Sequence, residues 1–196
     1  MKISRAIRST SIAAVFLVLG LLALSDVIPS GALQDNPSLA TASSVAKPRA
    51  YVSVDEVPAG HPFEVAIVVD ILSGYHMNSH TPTESYLIPT SLTLAPTPGI
   101  RGVSTSYPDG QMVKFDFAEE KLSVYSGSFT IRAKLASEAG AVPGEITLPY
   151  TLRYQACNSS SCLPPTKVSV PVKVKIASAD TKPHEIHSDI FKNSAK

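Results

Sequence analysis

Between Phe63 and Asp70 apolar and polar positions alternate: Phe63, Val65, Ile67 and Val69 share one parity, and Glu64, Ala66, Val68 and Asp70 the other. A repeat of two is that of a β-strand, whose successive side chains point to opposite faces, so the first set marks a buried sheet face. Further strands are expected over residues 51–54, 91–94, 112–115, 128–135, 146–154 and 168–176. The intervening segments hold turn chemistry, in Pro58-Ala59-Gly60, Pro96-Thr97-Pro98-Gly99, Pro108-Asp109-Gly110 and Pro143-Gly144. No stretch of helical period interrupts the series.

Short strands in series without intervening helices specify an antiparallel sandwich rather than a parallel α/β sheet. The expected fold class is all-β, an immunoglobulin-like antiparallel β-sandwich over residues 48–176 that follows an N-terminal signal segment. Trp is absent and no two cysteines lie far apart, so the architecture is shared with antibody domains but their inter-sheet bridge is not. Ahead of the sandwich, Lys2, Arg5 and Arg8 precede a 13-residue apolar run from Ile12 to Leu24, a secretory layout that is short for a membrane span. Residues 1–32 therefore read as a signal peptide or a retained signal anchor. Ser30-Gly31-Ala32 supplies small residues for cleavage after Ala32, and Ala40-Thr41-Ala42 is a second match farther from the apolar run. No cysteine follows the run to carry a lipid. Residues 33–47 read as a flexible tether, and residues 177–196 as a polar C-terminal tail.

Charge narrows the partner little. With 17 Lys and Arg against 16 Asp and Glu, no basic surplus points to nucleic acid. The 2 cysteines are too few for a disulfide framework in a chain of 196 residues, whose core needs no stapling, so the pair requires its own explanation. Cys157 and Cys162 lie in Tyr154-Gln155-Ala156-Cys157-Asn158-Ser159-Ser160-Ser161-Cys162-Leu163-Pro164-Pro165, which joins two expected strands as a hairpin connection. Export places them in an oxidising compartment, where such neighbours close into a disulfide unless a reductant acts on them. Closing a loop of about six residues is worth roughly 2 kcal/mol in the chain-entropy model. The residues alone leave a structural bridge and a redox-active one both open. Arg153 and Lys167 are the nearest cations in sequence and no helix N-terminus is evident, so the order of attack stays open as well.

The Tyr154-Gln155-Ala156-Cys157 and Cys162-Leu163-Pro164-Pro165 segments resemble the N-terminal periplasmic domain of the thiol:disulfide interchange protein DsbD. So do Gly74-Tyr75-His76-Met77-Asn78-Ser79 with Leu87-Ile88-Pro89-Thr90, and Tyr107-Pro108 with Leu122-Ser123-Val124-Tyr125-Ser126-Gly127. The similarity runs over residues 51–176. It implies an immunoglobulin-like fold, thiol:disulfide oxidoreductase activity and a cofactor-free redox pair, here in a stand-alone chain. The pair accepts electrons from the thioredoxin-like domain of a membrane disulfide reductase and delivers them to oxidised periplasmic thiol proteins, a setting tied to cytochrome c biogenesis. By the same resemblance Cys162 forms the mixed disulfide and Cys157 resolves it. A cap loop with an aromatic residue covers the pair in the family, and the matching region is Phe115-Asp116-Phe117-Ala118-Glu119-Glu120, with Phe117 the candidate cap. Phe115 and Phe117 share strand parity, so membership of the core is the competing reading. Tyr154 and Tyr75 are site-lining aromatics in one reading and sandwich core in the other. In the family's full protein the domain precedes a multi-span membrane segment and a thioredoxin-like domain. No further apolar run of spanning length follows here, so the expected electron source is a separate molecule.

Competing chemistry is thin. His76, Met77, His80 and Met112 could be assembled into a copper-like set, but no tight ligand motif supports a metal site. Asn158-Ser159-Ser160 matches a glycosylation acceptor and reads as a plain polar loop, and His184 and His187 need no role. No nucleophile elbow, phosphate loop or zinc-protease helix is present. The alternative of a different class is a non-catalytic sandwich that binds a protein partner and keeps its disulfide closed.

Overall fold

The computed structural model describes residues 40–192. The expected signal peptide or signal anchor, its expected cleavage site after Ala32 and the first part of the expected tether lie outside the described residues. The strands are β1 (Ala46–Val52), β2 (Val57–Pro58), β3 (Pro62–Ile71), β4 (His76–Asn78), β5 (Ser91–Leu94), β6 (Ile100–Ser106), β7 (Gln111–Val113), β8 (Leu122–Tyr125), β9 (Ser128–Ser137), β10 (Gly144–Tyr154), β11 (Ala156–Cys157) and β12 (Thr166–Ala177). A short helix, α1 (Ser188–Phe191), follows. They build three four-stranded sheets in the orders β1-β3-β9-β6, β2-β12-β10-β5 and β11-β4-β8-β7. All pairings are antiparallel except that of β2 with β12. The first two sheets form an immunoglobulin-like sandwich, and the third frames the cysteine hairpin.

The long strands obey the expected alternation. Phe63, Val65, Ile67 and Val69 of β3 are buried against Leu148, Tyr150 and Leu152 of β10 and Val170, Val172 and Val174 of β12 in one apolar cluster. Each such side chain contributes about 1.5–3 kcal/mol on leaving water, so this core dominates stability. Pro149 and Pro171 face each other inside the β10–β12 ladder. Proline has no N–H to donate.

Strands β4, β6 and β8 have no counterpart in the expected series, and each is hidden for a physical reason. β6 is an edge strand exposed along nearly its whole length, with a bulge between Gly102 and Ser104, and it is held by backbone pairing to β9 rather than by a buried face. β4 and β8 are three and four residues long and buried on both faces, so neither alternates. The chain also joins the fold earlier and leaves it later than expected. Val45 is fully buried, β1 begins at Ala46 inside the expected tether, and the Tyr154 hydroxyl donates to Ala42 O at 2.7 Å while accepting from Ala46 N at 3.3 Å. Past Ala177 the expected polar tail returns to the sandwich. Ile186 N donates to Ser53 O, Asp55 accepts from His184 N, and Arg132 lies over the Phe191 ring. Backbone pairing and ring contacts hold this segment, and composition does not reveal either.

Two expected outcomes follow from these buried polar groups. Tyr154→Phe strips the buried Ala46 N–H of its partner, and urea unfolding should show a loss of about 1–3 kcal/mol; an unchanged midpoint would mean that the N-terminal segment is held without the hydroxyl. His76 in β4 is 5% exposed, and its burial pushes the imidazole down from 6.5 to about 4. The unfolded chain then takes up a proton that the folded chain refuses, so this contribution to stability is complete above about pH 6.5 and is lost as pH falls through about 4. Urea midpoints of wild type and His76→Phe, compared at neutral pH and near pH 4, should shift in favour of the variant at the acid end. Parallel pH profiles would contradict a neutral buried imidazole.

Candidate functional site

The cysteine hairpin is built on the end of the β10–β12 ladder. Its last pair is Tyr154 with Thr166, and the segment between them leaves the large sheet and turns back on itself. Leu163 N donates to Ala156 O at 2.8 Å and Asn158 N to Ser161 O at 2.9 Å, while Gln155 Nε2 reaches Leu163 O at 3.3 Å. At the tip, Asn158 Oδ1 accepts from the backbone N–H groups of Ser160 and Ser161, both at 2.9 Å, so this side chain shapes the turn. Between the two backbone bonds, Cys157 and Cys162 face each other as the pair without a bond of its own, the closer kind in an antiparallel ladder. Their Cα atoms stand 3.9 Å apart and their sulfurs are joined. Pro164 and Pro165 cannot donate, which ends the pairing beyond Leu163.

The two cysteines have different surroundings. Cys157 belongs to β11 and is 1% exposed, whereas Cys162 lies on the returning arm and is exposed. β11 pairs with β4 so that Cys157 stands opposite His76 and Ala156 opposite Met77. Residues directly opposite in an antiparallel pair project to the same face, so His76, Cys157 and Cys162 form one row across three neighbouring segments. Among the described residues β11 leads straight into a turn, and no helix begins at the hairpin.

The aromatic residues divide by position. The His76 ring stacks on Phe115 with centroids 4.0 Å apart, and Phe115 stacks on Phe117 at 5.3 Å. β7 ends at Val113, so both phenylalanines lie in the following loop and strand parity does not govern them. Phe115 also packs against the small cluster of Leu87, Leu122 and Val124, while Phe117 is 44% exposed at the outer end of the stack. Lys114 Nζ donates to the carbonyls of Ala118 and Glu119 and closes this loop. Tyr154 takes the other course. It is fully buried in the sandwich core with its hydroxyl on the N-terminal segment, so of its two readings the core one holds. Tyr75 is half-buried and packs against the same core.

Around this row the scattered resemblance segments converge. Thr90 Oγ1 donates to Asn78 O at 2.6 Å, Asn78 Nδ2 donates to Ile88 O at 3.1 Å, and the Ser79 and Ser123 hydroxyls lie 2.8 Å apart. The Tyr125 hydroxyl donates to Pro108 O and accepts from His80 N, and His80 stacks on Tyr107 at 3.7 Å. A Cβ on Gly110 would lie 2.1 Å from Ser123 Oγ and 2.8 Å from Ser79 Cβ, so the segment Pro108-Asp109-Gly110 packs this closely only because residue 110 is glycine. These contacts fix β4 and β8, and through them the position of Cys157. They also separate the copper-like set: His76 is stacked on Phe115, His80 on Tyr107, Met77 is fully buried and Met112 is exposed. Sequence reasoning missed His76 as the neighbour of the buried sulfur. Its place in the Gly74-to-Ser79 segment was the available signal, but only the register assigns it a partner.

The family described as thiol:disulfide interchange protein DsbD, N-terminal, matches residues 42–174. Among solved structures the chain is similar to the reduced DsbD N-terminal domain of Neisseria meningitidis, at 16% identity over 76% of this chain and 96% of that one, with a TM-score of 0.45. It is also similar to the N-terminal periplasmic domain of ScsB from Proteus mirabilis, at 12% identity over 75% of this chain and 51% of that one, TM-score 0.48. A third similarity is to the complex between the DsbD N-terminal and PilB N-terminal domains from Neisseria meningitidis, at 19% identity over 69% of this chain and 88% of that one, TM-score 0.36. No curated protein matches the sequence. The family match spans both cysteines, the aromatic loop and nearly the whole sandwich, and the chain belongs to the DsbD N-terminal domain family.

Proposed function

We propose that the chain is an exported thiol–disulfide exchange domain. It relays electrons from the thioredoxin-like domain of a membrane disulfide reductase to oxidised periplasmic thiol proteins. The observation that carries this reading is the unequal exposure of the bonded pair, with Cys162 at the surface and Cys157 1% exposed beneath it. Thiol–disulfide exchange needs one sulfur that a partner can approach in line and a second that leaves and later returns. A partner thiolate attacks Cys162 Sγ, the sulfur–sulfur bond breaks, and its electron pair leaves on Cys157 Sγ. The partner's second thiolate then attacks the partner's own sulfur in the mixed disulfide and releases Cys162, so the partner closes its own disulfide, two electrons stay on this pair, and its thiolates take up from water the two protons that the partner's thiols gave up. Delivery runs in reverse: the Cys162 thiolate attacks an oxidised protein, and Cys157 resolves the intermediate.

The surroundings support specificity through docking rather than through an activated thiol. No helix dipole stands at the hairpin to lower a thiol pKa, so the rate rests on how a partner seats against the exposed arm. Phe117, exposed at the end of the stack, is the candidate cap residue, and the turn that carries it lies outside regular structure. The signal segment and the family's periplasmic setting support an extracytoplasmic location, with the chain either released or tethered by a retained anchor.

Cys157→Ser should leave Cys162 free to attack but unable to be resolved, so mixing this variant with a thioredoxin-like domain that keeps only its attacking cysteine, activated as a mixed disulfide with a small thiol, should accumulate a protein–protein mixed disulfide on non-reducing gels. Cys162→Ser should trap none. Trapping by the Cys162→Ser variant instead would reverse the two roles, and a wild-type disulfide that thioredoxin-like reductants open only after unfolding would make the bridge structural. Replacing both cysteines with alanine should lower stability by roughly 2 kcal/mol, the short-loop contribution, and leave the β-rich circular dichroism spectrum in place. Loss of folding in that variant would show that the bridge is required for the sandwich.

A further inference from the structure

His76 Nε2 is a buried polar atom with no hydrogen-bond partner, on a residue that is 5% exposed and stands directly opposite Cys157. An unpaired buried polar group is costly, and one beside a reacting atom calls for a reason. The exchange proposed above, on which this inference rests, creates a second one: opening the disulfide leaves Cys157 Sγ as a thiolate and then a thiol at a position 1% exposed to solvent. We infer that His76 Nε2 is the hydrogen-bond partner of Cys157 Sγ in the opened and reduced states, which makes His76 a further catalytic residue of the exchange. The two groups, each unpaired alone, satisfy one another once the sulfur is free.

Chemistry decides which kind of help the imidazole gives. Burial pushes its basicity down to about 4, so it is neutral near pH 7 and offers one N–H donor and one lone pair. An ordinary thiol titrates near 8.5, so moving its proton onto such a weak base is uphill by about four pKa units. Proton abstraction is therefore excluded, and a hydrogen bond remains. The N–H donates to the departing thiolate, where hydrogen bonds to charge are strongest, and the tautomer with a free Nε2 lone pair accepts from the thiol after protonation. Asn78 Oδ1, also buried and unpaired, cannot take this role toward a thiolate because it is an acceptor only. The Phe115 stack holds the ring plane, and the β4–β11 register sets His76 directly opposite Cys157, on the same face of the pair. Since the bond exists only after the disulfide opens, it favours the dithiol form.

The test compares glutathione redox equilibria of the wild type, His76→Phe and His76→Gln. Phenylalanine keeps the stack on Phe115 but removes both nitrogens, whereas glutamine keeps a donor and an acceptor. His76→Phe should shift the equilibrium about tenfold toward the disulfide, a potential lower by about 30 mV, and His76→Gln should stay within about twofold of wild type. The imidazole ¹⁵N resonances of His76 in the wild type should move on reduction by dithiothreitol, a readout that needs no variant and stands even if His76→Phe fails to fold. A wild-type pair that equilibrates with glutathione while His76→Phe matches it, or ¹⁵N resonances unchanged by reduction, would overturn this inference and leave the redox reading intact. A wild-type pair that neither reagent opens in the folded protein would overturn both.

Discussion

The ladder between β10 and β12 is the constraint on which the site depends. It runs from Gly144 opposite Ile176 to Tyr154 opposite Thr166, and both arms of the cysteine hairpin leave from its final pair. Its inward side chains, Leu148, Tyr150 and Leu152 from one strand and Val170, Val172 and Val174 from the other, anchor it to the core. Any slip of this register by one residue would turn those side chains to solvent and move the root of the hairpin with them. The site is therefore as well fixed as the core.

That arrangement also separates stability from chemistry. Each buried aliphatic or aromatic side chain contributes about 1.5–3 kcal/mol, so the core as a whole far exceeds the roughly 2 kcal/mol of a short-loop disulfide. A bond that contributes so small a share can open and close without endangering the sandwich. A bridge joining the two sheets would have tied redox state to folding. Here the sulfur pair sits beyond the last rung of the ladder, next to the tip shaped by Asn158.

The third sheet does the positioning. β4 and β8 are too short to be stable by themselves, and they are fixed by a polar knot in which Asn78, Thr90, Ser79, Ser123 and Tyr125 bond loops on either side. A set of directional buried hydrogen bonds favours one geometry, whereas an apolar contact of the same area would tolerate sliding. The aromatic loop contrasts with it. Phe115 is fastened between His76 and the Leu87 cluster, but Phe117 stands half in solvent on a turn, so the packed and the exposed parts of the loop meet at that stack.

The sequence by itself determined the sandwich class and the place of the cysteine pair on a hairpin. Long half-buried strands such as β3, β9, β10 and β12 must alternate. The motif segments also carried the family. Alternation could not reveal β4 and β8, which are buried on both faces, or β6, which is buried on neither. Proximity in sequence left Tyr154, three residues from Cys157, open between site and core, and β10 buries that ring in the core. Only the tertiary structure decided that Cys157 is buried, that Cys162 is open, and that His76, 81 positions away in the chain, stands opposite Cys157 on the neighbouring strand. Those facts depend on strand pairing between distant segments, and pairing is set by the packing of the whole chain rather than by any local run of residues.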